Sequence, residues 1–314
     1  MTRPLVFDAG PFFCAGGHGL KIIDSIEEMQ GVADSLRRQG KTIALVPTMG
    51  YFHEGHLDLM RIGRTRGDYL AVSLYVNPTQ FAPTEDFEAY PRDFERDRKM
   101  AEGVGVDAIF RPDSARMYPE GYQTYVSVME TTKNLCGRSR PHFFRGVTTV
   151  CTKLFHIVKP HVAIFGKKDY QQYVTICRMV RDLDMGIEIV GAPITREPSG
   201  LAMSSRNVYL RGEELESALG LSRSLMEAKG MYEKGERDSR VILRRVRETI
   251  ERHPHVKIDY AQICDAATMD DAPVIGERSV LALAVWVGKT RLIDNHVFGE
   301  PLDIGQKASN TGGH

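Results

Sequence analysis

The sequence predicts an α/β fold: a doubly wound, mostly parallel sheet of Rossmann-like type, followed by a smaller α+β domain. Three observations predict it. Short apolar runs rich in β-branched residues alternate with segments of helical period as far as about residue 194, the pattern of a parallel sheet with crossover helices. Two of those runs, Thr42–Val46 and Val162–Phe165, lead through a glycine-containing turn into a helix. Such junctions at carboxyl ends of strands are where open α/β sheets hold ligands. Beyond Pro193 two long helices precede alternating strands. The expected divisions are a flexible leader over 1–20, the Rossmann-like domain over 21–194, a smaller α+β lid domain over 195–297 and a flexible tail over 298–314.

Composition narrows the function classes. The chain has 314 residues with 41 basic and 41 acidic side chains, so bulk electrostatics calls for neither a nucleic-acid nor a membrane partner. No apolar run approaches the roughly 18 residues of a membrane span. The N-terminus lacks a basic region followed by an apolar core. Cys14, Cys136, Cys151, Cys177 and Cys264 are scattered without a C-x-x-C pair. That favours free thiols in a reducing compartment, and the expected location is the cytoplasm.

In chain order, a helix is expected over 24–38, with Ile26, Met29, Val32, Ala33 and Leu36 on one face, Asp24 as N-cap and Gly40 as stop. The buried strand Thr42–Val46 follows, then the turn Pro47-Thr48-Met49-Gly50-Tyr51-Phe52-His53-Glu54-Gly55-His56 and a helix from Leu57. This turn gathers free backbone N–H groups and the positive end of a helix dipole, which suits a phosphate. Gly50 and Gly55 permit close backbone approach, and His53 and His56 can each donate to an anion. A metal pair is the weaker reading, because no Cys or third His lies nearby to complete a site.

A second strand, Asp68–Val76, ends in Asn77-Pro78-Thr79-Gln80-Phe81, which taken alone reads as a turn that offers neutral amides. A helix over 92–102, strands over 107–110 and 125–128, a basic aromatic loop over 138–146 and a helix over 147–158 come next. Val162–Phe165 ends in Gly166-Lys167-Lys168-Asp169, where a lysine can meet phosphate as a point charge. A helix over 170–182 and a strand over 187–191 complete the alternation. In the second part, Gly200–Asn207 is a small-residue loop with two hydroxyls and Arg206. Helices over 212–231 and 238–251 lead to a strand over 255–264 with Val256, Ile258, Tyr260 and Gln262 on one face, then to strands over 280–287 and 290–295.

Six blocks in this order resemble the pantothenate synthetase (pantoate–β-alanine ligase) family of the His-x-Gly-His nucleotidyl transferases. They are Pro47–Gly50 with His53-x-Gly55-His56, Asn77–Phe81, Tyr90-Pro91-Arg92, Phe165-Gly166-x-Lys168-Asp169-x-x-Gln172, Gly200–Asn207 and Thr290–Asn295. The resemblance implies ATP-dependent joining of D-pantoate to β-alanine through a pantoyl adenylate. It implies an ATP site formed by Pro47, Thr48, Met49, Gly50, His53, His56, Gly166, Lys167, Lys168, Asp169, Thr195, Met203, Ser204, Ser205 and Arg206. His56, His53, Lys168 and Arg206 would carry the chemistry, with His56 as proton donor. Gln80, Gln172 and Asn77 would hold pantoate, Gln80 also bordering β-alanine. Magnesium would accompany ATP without a dedicated protein site; Asp97 stands where the family has an acidic residue near the metal. A homodimer through the first domain is also implied. One block departs: the family's Arg-Pro-Gly-His-Phe-Arg-Gly loop is Arg140-Pro141-His142-Phe143-Phe144-Arg145-Gly146, which puts Phe143 at the histidine position and leaves His142 to reach a similar place. The competing readings are a nucleotidyl transferase for a phosphorylated acceptor, which calls for a basic acceptor pocket, and a non-catalytic nucleotide-binding protein, which calls for loss of His56, Lys168 or Gln172.

Overall fold

The computed structural model describes residues 19–83, 85–302 and 304. The expectations for the leader up to residue 18, with Cys14, and for most of the tail lie outside these residues. The chain runs β1 (Lys21–Ile23), α1 (Ile26–Arg38), β2 (Ile43–Thr48), α2 (Glu54–Arg66), β3 (Tyr69–Leu74), α3 (Phe94–Gly103) and β4 (Ala108–Phe110). It continues through the short α4 (Ser114–Met117) and α5 (Cys136–Ser139), then α6 (Phe143–Val158), β5 (Val162–Gly166), α7 (Tyr170–Asp182) and β6 (Glu188–Ala192). The second part holds α8 (Glu213–Glu233), α9 (Ser239–Glu251), β7 (Val256–Asp265), β8 (Ser279–Val287) and β9 (Thr290–Val297).

The first sheet is six-stranded and parallel, in the order β1-β4-β3-β2-β5-β6. Alternate residues of β2 serve its two faces. Ile43 and Leu45 pack with α1, α6 and α7, whereas Ala44 and Val46 pack with α2 and α3. Burial on both faces explains why β2 reads as a continuous apolar run. The direction of chain growth reverses between β2 and β5, the topological switch point of the sheet.

The two strands also part there. β2 pairs with β3 as far as Thr48↔Leu74, but with β5 only at Ala44 and Leu45. Proline accounts for the parting. His161 N–H donates to Ile43 O on the β5 side, while Tyr69 and Tyr75 N–H donate to Thr42 O and Thr48 O on the β3 side. Pro47, at an odd position, therefore faces β5, where its missing N–H ends the ladder.

The second sheet is antiparallel, β7-β8-β9. One face packs on α8 and α9; the other, with Cys264, Val280 and Ala282, packs against Leu135 and Val174 of the first part.

Several sequence expectations are corrected. Ser25, not Asp24, caps α1: its hydroxyl accepts from Glu28 N–H at 3.2 Å. The strand β1 has no counterpart among the expected strands. No strand forms over 125–128; threonine hydroxyls of α6 take that backbone instead, with Val126 N–H donating to Thr149 Oγ1 at 3.0 Å and Val126 O accepting from Thr148 Oγ1 at 2.6 Å. A bulge at Asp259 reverses the alternation of β7, so Ala261 and Ile263 join Val256 and Ile258 on the helix-facing side and Tyr260 points the other way. Phe298, expected to begin a flexible tail, is buried against Tyr232 with ring centroids 5.0 Å apart.

Candidate active site

Where β2 and β5 diverge lies a cleft of about 290 Å³, walled by both parts of the chain. Its first wall is the turn after β2. Gly50 has φ +85° and Tyr51 φ 54°, a pair of left-handed residues that costs about 1 kcal/mol at the tyrosine. Asp97 of α3 holds this shape: one carboxylate oxygen accepts from Tyr51 N–H and the other from Phe52 N–H, both at 2.6 Å. Asp97 is fully buried, and burial raises its pKa against the lowering effect of those two bonds. Each of its oxygens thus accepts a backbone bond, and Asp97, expected near a metal, is not on the cleft lining. Gly50 serves the turn and not the cleft: a Cβ there would meet Asp97 at 3.1 Å, and Gly50 does not line the cavity, whereas Gly55 does. Tyr51 and Phe52 N–H are likewise not free for a phosphate.

His53 and His56 both line the cleft, with ring centroids 4.1 Å apart. His56 Nδ1 accepts from the His53 backbone N–H at 3.3 Å. An accepting Nδ1 fixes the proton of the neutral ring on Nε2. Burial, then His53 and Lys168 beside it, holds His56 well below the ordinary histidine range. Burial, then Lys168 and Arg96, lowers His53 to about 4. Both rings are neutral near pH 7, and His56 is a hydrogen-bond donor rather than a charged acid. Among the described residues the buried His53 Nδ1 has no hydrogen-bond partner, an orphan that a bound ligand would satisfy.

The two glutamines come from opposite sides. Gln80 ends a 3-10 turn, Pro78–Gln80, after β3. Asn77, expected beside pantoate, is buried and is not on the cleft lining. Its Nδ2 donates to Gln80 Oε1 at 3.0 Å and to Gly146 O at 3.2 Å, and its Oδ1 accepts from Thr79. Gln80 itself lines the cleft. Gln172, in the first turn of α7, also lines the cavity. Its neighbour Gln171 is structural, bonded to Cys136 N, Thr131 O and Asn134 O. Between the glutamines α6 contributes an apolar wall that includes Phe143, Phe144, Val147 and Leu154. His142 is exposed, outside the lining, and does not substitute for the missing loop histidine.

The third wall carries charge. Gly166, Lys168 and Asp169 line the cleft; Lys167 does not, because its ammonium pairs with Glu300 at 2.7 Å. Lys168 has no ion-pair partner among the described residues. Pro47, Thr48, Met49, Thr195, Met203, Ser204, Ser205 and Arg206 line the cleft as well. The linker is pinned at Thr195, whose hydroxyl donates to Asp58 at 2.7 Å and whose carbonyl accepts from Met203 N–H. Arg206 is held by Asp86 through Nε at 3.0 Å and Nη2 at 2.9 Å, and Ser205 Oγ donates to Tyr51 O at 3.3 Å. Sequence reasoning left Asp86 without a role; an acidic residue in a loop gives no signal of its partner.

Among the described residues no group of three or more His, Cys, Asp or Glu is placed to hold a metal ion, and Asp169 is the sole carboxylate on the cleft lining. The arrangement therefore offers neutral donors, one lysine without an ion-pair partner among the described residues, and three arginines, Arg140, Arg206 and Arg291, each paired with a carboxylate, with amides and an apolar wall beside them.

The Pantoate-beta-alanine ligase family model matches residues 21–297. The chain is 64% identical over 285 residues to the pantothenate synthetase of Syntrophus aciditrophicus, covering 91% of this chain and all of that protein. It is 56% identical to that of Geobacter sulfurreducens over 90% of this chain and 99% of the relative. Among solved structures, pantothenate synthetase from Thermus thermophilus superposes with a TM-score of 0.84 at 39% identity, covering 88% and 99% of the two chains. The pantoate-beta-alanine ligase of Francisella tularensis, complexed with beta-gamma ATP and beta-alanine, gives 0.74 at 31% over 90% and 100%.

Proposed function

The chain belongs to the pantoate–β-alanine ligase family, and from that premise we infer that it condenses D-pantoate with β-alanine using ATP, releasing AMP and pyrophosphate. A carboxylate resists attack by an amine, so it is first activated. A pantoate carboxylate oxygen bonds to the α-phosphorus of ATP while the bond to the β-phosphate oxygen breaks. The β-alanine nitrogen then bonds to the acyl carbon, AMP leaves, and the amine gives up its proton.

One observation supports the assignment of roles above the others: neutral His56, Lys168, Arg206, Gln80 and Gln172 line a single cleft at the switch point of the sheet. Extra negative charge develops on phosphate oxygens during the in-line displacement, and preorganised donors stabilise it there. In this reading His56 Nε2–H, Lys168 and Arg206 supply those donors, with His53 beside them. Pro47, Thr48, Met49 and the two histidines of the first turn, Gly166, Lys168 and Asp169 of the second, Thr195 and the loop Met203–Arg206 hold the nucleotide. Gln80 and Gln172 bind the hydroxyls and carboxylate of pantoate without a charge that would quench the nucleophile, the α6 wall receives its methyl groups, and Gln80 borders β-alanine. A phosphorylated acceptor calls for cations where these two amides stand. Mg²⁺ fits as a companion of the triphosphate, held by its oxygens with Asp169 as the one cleft carboxylate, as usual for nucleotide-bound magnesium. It would neutralise phosphate charge.

The same reading takes residues 21–194 as the nucleotide and pantoate domain, residues 195–297 as a lid, and the enzyme as a cytoplasmic homodimer. No helix among the described residues is long and apolar enough to cross a membrane. Light scattering checks the dimer. The deciding experiment is exchange of labelled pyrophosphate into ATP with Mg²⁺ and without β-alanine. Pantoate-dependent exchange is expected, and its absence in folded, ATP-binding protein contradicts a pantoyl adenylate. Chelation with EDTA should abolish the exchange, and persistence would remove Mg²⁺ from the reaction.

A further inference from the structure

Lys168 has no ion-pair partner among the described residues, so no salt bridge aims its side chain. Its direction is set by the backbone of the 3-10 turn Lys167–Asp169. That backbone is gripped from the other part of the molecule. Asn295 on β9, buried to 5% exposure, donates from Nδ2 to Lys167 O and to Lys168 O, each at 2.9 Å. These carbonyls belong to the two peptide planes that flank the Lys168 Cα. Fixing both planes fixes φ and ψ at Lys168, and with them the Cα–Cβ direction.

Asn295 is itself fixed. Its N–H donates to Asp294 Oδ1 at 2.8 Å. The Asp294 carboxylate is also held by Arg196 Nη1 at 2.7 Å and Nη2 at 2.9 Å, in a pair whose side chains are only 6% and 1% exposed. Arg196 bridges to Ala202 in the hairpin that leads into Met203–Arg206. One Asp-Asn dipeptide on the second sheet thus touches both the lysine turn and the base of the arginine loop.

We propose that Asn295 is a positioning residue for Lys168, a role that rests on the assignment of Lys168 to the ATP phosphates. Through it the second sheet sets the aim of a lysine carried by the first.

The test is a double-mutant cycle read by pantoate-dependent pyrophosphate–ATP exchange with Asn295→Ala, Lys168→Ala and the double variant. Loss of two neutral hydrogen bonds is expected to lower kcat/KM for ATP about tenfold, with KM for pantoate changed less than about twofold. Lys168→Ala is expected to lose about 10²-fold. The double variant is expected to be no worse than Lys168→Ala, because Asn295 has nothing left to aim. A double variant in which the two losses multiply overturns the proposal, since a merely structural Asn295 acts independently of the lysine. Activity of folded Asn295→Ala within about twofold of the parent overturns it too. If Lys168→Ala keeps full activity, the phosphate role of Lys168 fails and the proposal falls with it. Circular dichroism and gel filtration establish folding. Should Asn295→Ala not fold, the isosteric Asn295→Asp enters the same cycle, and failure of both to fold assigns Asn295 a structural role and overturns the proposal.

Discussion

At the residue scale, the role proposed for His56 rests on a ring that is kept neutral with its proton on one nitrogen. The His53 backbone N–H occupies Nδ1, so the remaining N–H on Nε2 is the donor available to the cleft. Removing one such preorganised donor costs about 10²–10³-fold in rate, and His56→Ala should lose that much pyrophosphate exchange while keeping its circular dichroism. A near-normal rate would remove His56 from the chemistry. The same burial has a pH consequence. An unfolded histidine titrates near 6.5, while folded His53 stays neutral down to about 4. Between those values the unfolded chain binds protons that the native chain does not, so stability falls as pH drops through that window and is level above it. Thermal unfolding followed from about pH 7 to about pH 4 should show the decline, and it should be shallower in His53→Gln. An equal slope in the variant would show that other groups drive the loss.

At the scale of elements, helix α6 sits unusually close to the turn that carries Gln80. A Cβ on Gly146 would lie 2.4 Å from Thr79 O, and Gly146 O accepts from Asn77. Gly146→Ala should therefore push α6 off the turn at about 1–3 kcal/mol and raise KM for pantoate more than KM for ATP; equal effects on both would uncouple this contact from Gln80. Elements with a strong period were legible in the sequence, as were those with a decisive punctuator. α7 and α9 begin within a residue of the expected places, and Pro47 both ends the β2–β5 ladder and marks the cleft. What escaped the sequence was set by distant partners. β1 has only three residues and pairs with β4. The extended segment at Val126 looks like a strand, yet its hydrogen bonds end on Thr148 and Thr149. Part of the cleft lining was legible by motif, but Tyr75, Arg291 and Asn295 also line it without having been given a site role, and the residues that hold the lining were not legible. Asn77 and Lys167 look like ligands in sequence but lie off the cleft lining, bonded to Gln80 and Gly146 and to Glu300, while Asp97 and Asp86 carry no local signal that they secure the turn after β2 and Arg206.

At the scale of the whole molecule, a buried ion pair ties the linker between the two parts to the second sheet. Arg196, in the linker after β6, meets Asp294 on β9 in a two-pronged contact almost free of solvent. Such a pair is costly to desolvate, so its net contribution against apolar residues is small, but removing one partner strands the other charge. Asp294→Ala leaves Arg196 buried beside the Gly200 carbonyl alone and should lower stability by about 3–5 kcal/mol. Arg196→Met combined with Asp294→Leu keeps volume and removes both charges, and it should recover most of that loss. If the single and double variants unfold alike in urea, the pair is not what ties the linker to the second sheet. Catalysis should separate from stability here. The double variant regains its fold, but the leucine side chain that replaces Asp294 cannot accept the Asn295 N–H, so exchange activity should stay below that of the parent. Full recovery of both would show that position 294 supports the structure without guiding the lysine turn.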